Sequence, residues 1–273
     1  GRWAMDIFGV ANQSAARQLA RALPNTSTVA LGLVLFPLWV ARQIAGAPFI
    51  YPNPHPQNAL AGLNFVPWRT ELIDSLLDGY STIHQYVILG SGLDTRGYGE
   101  PSILAGRVWE VDTGSNIHFK KSHIAKATLQ SDAVTYVPAD FSDDSWPDSL
   151  RASGFDSNQP AVFLFEGVSL YLTRDQLVRT LSFAASLAPA GSVLLMDLYS
   201  SEMVAASQRP FVRRMLALTD EEIHFGVELR HSPLDNIDEL LADAGLQRGR
   251  VELLAPNRPG GAHLGLVESV FSG

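Results

Sequence analysis

Five short runs constrain the fold of this chain more than any other feature: Tyr86–Leu89, Arg107–Val111, Ala133–Val137, Ala161–Phe165 and Ser192–Met196. Each is short, dominated by β-branched, aromatic or other apolar residues, and reads as a strand buried on both faces. Stretches with helical spacing lie between them, among them Ser115–Leu129 and Arg174–Leu187. Strands that alternate with helices need crossover connections, and therefore a parallel sheet covered by helices. Two later runs, Leu246–Leu254 and His263–Val270, follow a helical stretch at Ile237–Ala244 and are separated by the loop sequence "APNRPGG". A pair joined that way forms an antiparallel edge on a parallel sheet. The expected class is α/β, a doubly wound Rossmann-like sheet with an antiparallel edge strand.

The first 80 residues read differently. Ser14–Leu23 has helical spacing, with Leu19, Ala22 and Leu23 on one side. Val29–Ala41 is apolar throughout, and Ala47–Asn58 carries four prolines, which dictate an extended loop. Asn64–Leu77 reads as a helix, with Leu72, Ile73, Leu76 and Leu77 apolar. The expected organisation is an N-terminal helical cap or lid over residues 1–80 and one compact α/β core over residues 81–273. The apolar segment follows Arg17 and Arg21 and precedes Ala45–Ala47, a faint likeness to a signal peptide. It is shorter than the roughly 20 residues of a spanning helix, and Pro37 interrupts it. It reads as a buried or substrate-facing helix, with no stable membrane insertion.

Composition narrows the function classes. Hydrophobic residues make up 46% of the 273 residues and charged residues 18%, which excludes a disordered chain. The formal charge is −8 and no basic run is present, which argues against nucleic acid or an anionic membrane as partner. There is no cysteine, so disulfides, a thiol nucleophile and a cysteine metal site are all excluded. A cytoplasmic location is compatible with that. None of the seven histidines pairs at i, i+4 with supporting acids, so no metal is expected. His118 and His123 fall on a predicted helix and are expected to be solvated.

The chemistry concentrates at the ends of the predicted strands. The first strand runs into "GSGLDTR", with Gly90 and Gly92 in a tight turn and Asp94 as the expected N-cap of a helix. In doubly wound sheets the ligand lies at the carboxyl ends of the strands, where strand order reverses. The second strand ends at Asp112, twenty residues past Gly92, the spacing of an acid that binds ribose hydroxyls. "PADF" puts Asp140 at the end of the third strand, and "FEG" puts Glu166 at the end of the fourth. The turn lacks a third small residue, and Asp94 would repel a phosphate. A cofactor without phosphate suits it better. S-adenosylmethionine carries adenine, ribose, a sulfonium and an amino acid group. Asp112 suits its ribose and Asp140 its adenine amino group, with the capping of a following helix as the other reading of Asp140.

In order and spacing, "VILGSGLDTRGYG", "WEVD", "VPADF" and "FEGVSLYLT" resemble the motifs of the leucine carboxyl methyltransferase-like family of S-adenosylmethionine-dependent methyltransferases. Some of its bacterial members methylate carboxylic acids of polyketides. The resemblance covers roughly Phe65 to Asp197 and leaves out the apolar segment and the proline loop. It implies a class I methyltransferase sheet with S-adenosylmethionine as cofactor. Arg69 in "WRTELID" matches the arginine that grips the methionine carboxylate. Gly90 matches the first glycine of the turn, and Asp112 the ribose acid. Asp140 and Phe141 match the pair flanking the adenine, and Glu166 the acid near the methionine moiety. Tyr171 lies on the segment lining the substrate side.

The expected reaction is O-methylation of a small, largely apolar acceptor of secondary metabolism, a carboxylate in preference to a phenol. A carboxylate with its ordinary pKa of about 4 is already ionised and needs no general base. A roof of Leu33, Phe36, Leu38, Trp39 and Phe49 favours a greasy substrate, and Trp68 and Tyr171 are the two candidates for a cation–π contact with the sulfonium, neither of which the sequence places. The alternatives are C- or N-methylation, a cofactor-assisted reaction without methyl transfer such as a cyclisation, and a dehydrogenase, which the Leu93-Asp94 turn disfavours. A serine hydrolase is excluded because G-x-S-x-G is absent.

Overall fold

A computed structural model describes residues 13–23, 65–98, 104, 106–129, 132–210, 213 and 222–271. The apolar segment Val29–Ala41, the proline loop Ala47–Asn58 and the roof residues Leu33, Phe36, Leu38, Trp39 and Phe49 lie outside the described residues.

Every predicted strand forms. The chain runs α1 (Ser14–Ala22), α2 (Phe65–Asp78), β1 (Gln85–Leu89), β2 (Arg107–Asp112), α3 (Gly114–Lys126), β3 (Val134–Pro138), α4 (Trp146–Ala152), β4 (Val162–Phe165), α5 (Arg174–Leu187), β5 (Val193–Tyr199), α6 (Ser201–Ser207), α7 (Pro233–Asp243), β6 (Gln247–Leu254) and β7 (Leu264–Val270). The short helices α4 and α6 carry too few residues to show a helical period and escape the sequence reading. The seven strands form one sheet in the order β3-β2-β1-β4-β5-β7-β6. The pairs β1–β2, β2–β3, β1–β4 and β4–β5 are parallel. The last two strands insert antiparallel, β7 against β5 and β6 against β7. Strand order reverses between β1 and β4, and a crevice opens there at the carboxyl ends of the strands.

The alternation of side chains across the sheet decides what faces what. On one face Val87, Leu89, Trp109, Val111, Phe163 and Phe165 pack beneath α4, α5 and α7. On the other, Tyr86, Ile88, Val162, Leu164 and Leu195 pack against Trp68, Ile73 and Leu77 of α2. Helix α2 is thus built into the core of the sheet. Helix α1 docks on α3 through Leu19, which joins Tyr98, Ile124 and Leu129.

Two local expectations are corrected. Asp94 caps no helix, because residues 90–98 form a succession of turns and bends; its side chain accepts the Arg96 N–H at 2.8 Å instead. His123 is buried and not solvated, with Nδ1 at 2.7 Å from the Phe119 carbonyl and its ring tilted against that of Phe119. Trp68 is buried where α2 packs on the sheet. Among the described residues no helix is long and apolar enough to cross a membrane.

Candidate active site

Backbone geometry builds the β1–β2 side of the crevice. Gly90 has φ +68°, and a Cβ there would lie 2.4 Å from Val168 Cγ2, in the segment after β4. Only glycine lets the turn close on that segment. Gly92 has φ +40°, and above it a Cβ would meet nothing nearer than the Gly90 carbonyl at 4.0 Å. The turn thus holds its backbone against the protein on one side, and among the described residues nothing fills the space on the other.

Asp112 ties this turn to the end of β2. Its Oδ2 accepts the Gly92 N–H at 2.7 Å. Oδ1 accepts the Thr113 N–H at 2.7 Å and the Asn116 side-chain amide at 2.8 Å. A carboxylate has about four acceptor positions, so these bonds leave room on Oδ2 for one more donor. Asp140 is exposed after β3, and its Oδ1 accepts from Ser142 N–H at 2.8 Å and Ser142 Oγ–H at 2.7 Å. Those bonds hold its carboxyl below the usual range. Asp140 therefore shapes a turn, while Ser145 is the residue that precedes α4. Phe141 packs edge-on against Trp146 and Phe165 at the end of β4.

The β4–β5 side is a network of charge. Glu166 Oε1 accepts from Arg69 Nε at 2.9 Å, and Oε2 from Arg96 Nη1 at 2.6 Å. Burial pushes the Glu166 carboxyl up, but Arg96 and Arg69 outweigh it and hold the group below its ordinary value. Arg69 Nη1 also donates to Asp197 Oδ2 at 2.6 Å and to the Tyr199 hydroxyl at 2.5 Å. Arg96, with only 1% of its side chain exposed, reaches Asp74 on α2 at 2.7 Å and pairs with Asp94 in the turn. Two guanidiniums therefore meet four carboxyl groups. Asp197 is fully buried, and that burial pushes its carboxyl up against the pull of Arg69 and the Gly167 N–H.

The structure brings Arg69 and Glu166 together and places Gly92 on Asp112. Tyr171 stands apart on a short 3-10 turn, Ser169–Tyr171, and is 37% exposed. Asp197 and Tyr199 were missed. Their signal was the same one that marks Glu166, an acid at the end of an apolar strand, but the predicted strand stopped at Met196. Also missed was a buried pair behind the glycine turn. Glu110 lies one residue pair before Asp112 on the same face of β2, and Lys120 Nζ is 2.7 Å from its Oε1. The Tyr98 hydroxyl donates to Glu110 Oε2 at 2.9 Å, and Lys120 Nζ reaches the Ser91 carbonyl at 3.4 Å.

The sequence model of leucine carboxyl methyltransferase matches residues 37–185, more than half of the chain. It begins inside the apolar segment and takes in the proline loop, both of which the sequence reading had left outside the resemblance. A protein of Mycobacterium bovis named "Putative S-adenosyl-L-methionine-dependent methyltransferase" is 40% identical over 134 residues, 48% of this chain and 43% of the relative. A protein of the same name from Mycobacterium sp. strain KMS is 35% identical over 169 residues, 61% of this chain and 54% of the relative. The matches thus span about half the length of these relatives. Among solved structures, a DUF574 family protein from Streptomyces avermitilis has a TM-score of 0.54 at 16% identity, over 99% of this chain and 96% of that one. Magnesium protoporphyrin IX methyltransferase from Synechocystis, solved with S-adenosylhomocysteine bound, has a TM-score of 0.50 at 14% identity, over 85% of this chain and 94% of that one. These two share the fold. With the sheet order and the strand-end residues in place, the family match is decisive, and the chain is a member of the leucine carboxyl methyltransferase family of S-adenosylmethionine-dependent methyltransferases.

Proposed function

We propose that this chain transfers a methyl group from S-adenosylmethionine to an oxygen of a small, largely apolar acceptor of secondary metabolism, with a carboxylate as the accepting group. The observation that carries the cofactor half is the glycine turn. Its backbone is fixed by Asp112 and Val168 on the protein side, and none of the described residues fills the space above Gly92. A Cβ would fill that space, and no phosphate-binding run of amides is needed. Asp112 Oδ2 keeps one position for a ribose hydroxyl, fewer than the two that the sequence spacing suggests.

The excess of carboxylates around Arg69 and Arg96 suits a ligand that carries a sulfonium and an ammonium. Arg69 uses Nε and Nη1 for its bonds to Glu166, Asp197 and Tyr199. Its Nη2 edge, which none of these bonds uses, is the group we assign to the methionine carboxylate. Asp140 and Phe141, at the end of β3, are assigned to the adenine.

When bound, the cofactor supplies an electrophilic methyl group on sulfur. An acceptor carboxylate, already ionised, would take that methyl group on oxygen, and the products would be a methyl ester and S-adenosylhomocysteine. No proton moves, so this chain's residues have to bind, align and exclude water. Family membership and the apolar run Val29–Ala41 support an apolar acid as acceptor.

Calorimetry with S-adenosylhomocysteine tests the cofactor half. The expected affinity is micromolar, roughly −8 kcal/mol. Asp112→Ala should weaken it about tenfold or more, through loss of a charge-assisted hydrogen bond. The same substitution should lower the stability of the ligand-free protein, because three protein donors lose their acceptor. Binding of NAD with no response to S-adenosylhomocysteine would refute the cofactor assignment. A methyl group found on carbon or nitrogen in the product would refute the carboxylate reading alone.

A further inference from the structure

Beyond the carboxyl end of β5 lies a cavity of about 340 Å³ that the cofactor residues do not line. That is near the lower end of the roughly 300–1,000 Å³ of small-molecule sites. Its apolar wall is Phe65 of α2, Met203 and Ala206 of α6, and Leu264 of β7. Two contacts join it to the charged network. Phe65 packs edge-on against Tyr199, whose hydroxyl accepts from Arg69. Phe65 and Arg69 are one turn apart on α2, so they project from the same side of that helix. Leu264 pairs with Tyr199 in the β5–β7 register.

Among the described residues the rest of the lining is polar and mostly basic: Arg209, Arg258, His263 and Glu202. Arg258 Nη1 donates to His263 Nδ1 at 2.9 Å, which leaves the ring proton on Nε2. Burial and the adjacent Arg258 hold the imidazole below its ordinary pKa, against Glu202. Glu202 is only loosely engaged, with Oε2 at 3.9 Å from Arg258 Nη1. In a chain of charge −8, the described wall of this cavity carries two arginines against one glutamate.

We propose that this cavity is the acceptor subsite, and that it takes a small amphipathic carboxylic acid whose anionic group is recognised by Arg258 and Arg209 and whose apolar body lies against Phe65, Met203 and Leu264. The assignment rests on the methyl-transfer reading above. It also gives product release a cause. Methylation turns the anion into a neutral ester and removes the charge that the arginines hold.

The test uses the full chain saturated with S-adenosylhomocysteine and titrated with octanoate, with octanol and methyl octanoate as uncharged controls. Octanoate should bind at least about tenfold tighter than either control, the worth of one charge-assisted hydrogen bond. Arg258→Gln and Arg209→Gln should each weaken octanoate several-fold and leave the affinity for S-adenosylhomocysteine unchanged. Glu202→Gln should tighten octanoate, a gain that a misfolded protein does not produce. Octanoate binding indifferent to all three substitutions would overturn the proposal. Binding of S-adenosylhomocysteine with no preference for octanoate over octanol would overturn the subsite and spare the cofactor reading. No binding of S-adenosylhomocysteine would overturn both.

Discussion

The two halves of the carboxyl edge are built by different means. On the β1–β2 half, a turn with two glycines is fixed by backbone bonds to one acid, Asp112, only twenty residues away in sequence. On the β4–β5 half, Arg69 and Arg96 cross-link α2, the β1 turn, the residue after β4 and the end of β5, with separations of 70 to 130 residues for the longer bonds. The first half is shaped by conformation and the second by charge. A conformational cradle tolerates loss of one bond. A buried charge network does not, because each removed partner strands another.

The largest effect should therefore come from the charged half. Arg96 is almost fully buried and holds Asp74, Asp94 and Glu166. Arg96→Met leaves those carboxylates without their shared cation and should cost about 3–5 kcal/mol. Urea denaturation of the ligand-free protein measures it. A loss below about 1 kcal/mol, the level of an exposed pair, would mean that water screens the network, and the contrast between the halves would disappear.

The next effect probes the ion pair hidden behind the glycine turn. Burial pushes the Glu110 carboxyl up to about 7, against the pull of Lys120. Its folded pKa is above the unfolded value, so the folded state holds the proton more tightly. The stability that this group contributes is fully present below the unfolded pKa of about 4.3 and is lost as pH rises through about 7. Replacing both partners, Glu110→Gln with Lys120→Met, should remove that falling limb, a difference of up to about 3 kcal/mol between pH 4.5 and 7. The measurement is the difference in unfolding free energy between the two proteins across that range. Parallel curves would show that Glu110 stays ionised throughout.

The same contrast explains what could be read from the sequence. The parallel sheet, its antiparallel edge, and the strand-end positions of Gly90, Gly92, Asp112 and Glu166 were legible, because strand periodicity and turn chemistry are local. The partners of Arg69 were not. Nothing near "WRTELID" announces that its guanidinium meets Asp197, 128 residues later. Asp197 projects toward α2 because it alternates with Met196 and Leu198, which face the other core. That could be deduced only once β5 was known to continue past Met196. His123 failed for a related reason. It sits on a helix whose buried face is decided by what docks there, α1 and Tyr98 against Ile124.

The smallest effect separates the two glycines of the conformational half. Both have positive φ, so alanine at either position costs about 1–2 kcal/mol in backbone strain. They differ in what the new methyl group meets. At Gly90 it would run into Val168 Cγ2, so Gly90→Ala should lose further stability as the turn is pushed away from the segment after β4. At Gly92 it would enter the open space above the turn. Gly92→Ala should therefore unfold nearly as the backbone term alone predicts, yet bind S-adenosylhomocysteine at least about tenfold more weakly, because a methyl group occupies room the ligand needs. Thermal unfolding and calorimetry on the two variants read the two terms separately. If Gly92→Ala keeps full affinity while Gly90→Ala loses it, the ligand rests on the β4 side of the turn, and the division of labour drawn between the two halves has to be reversed.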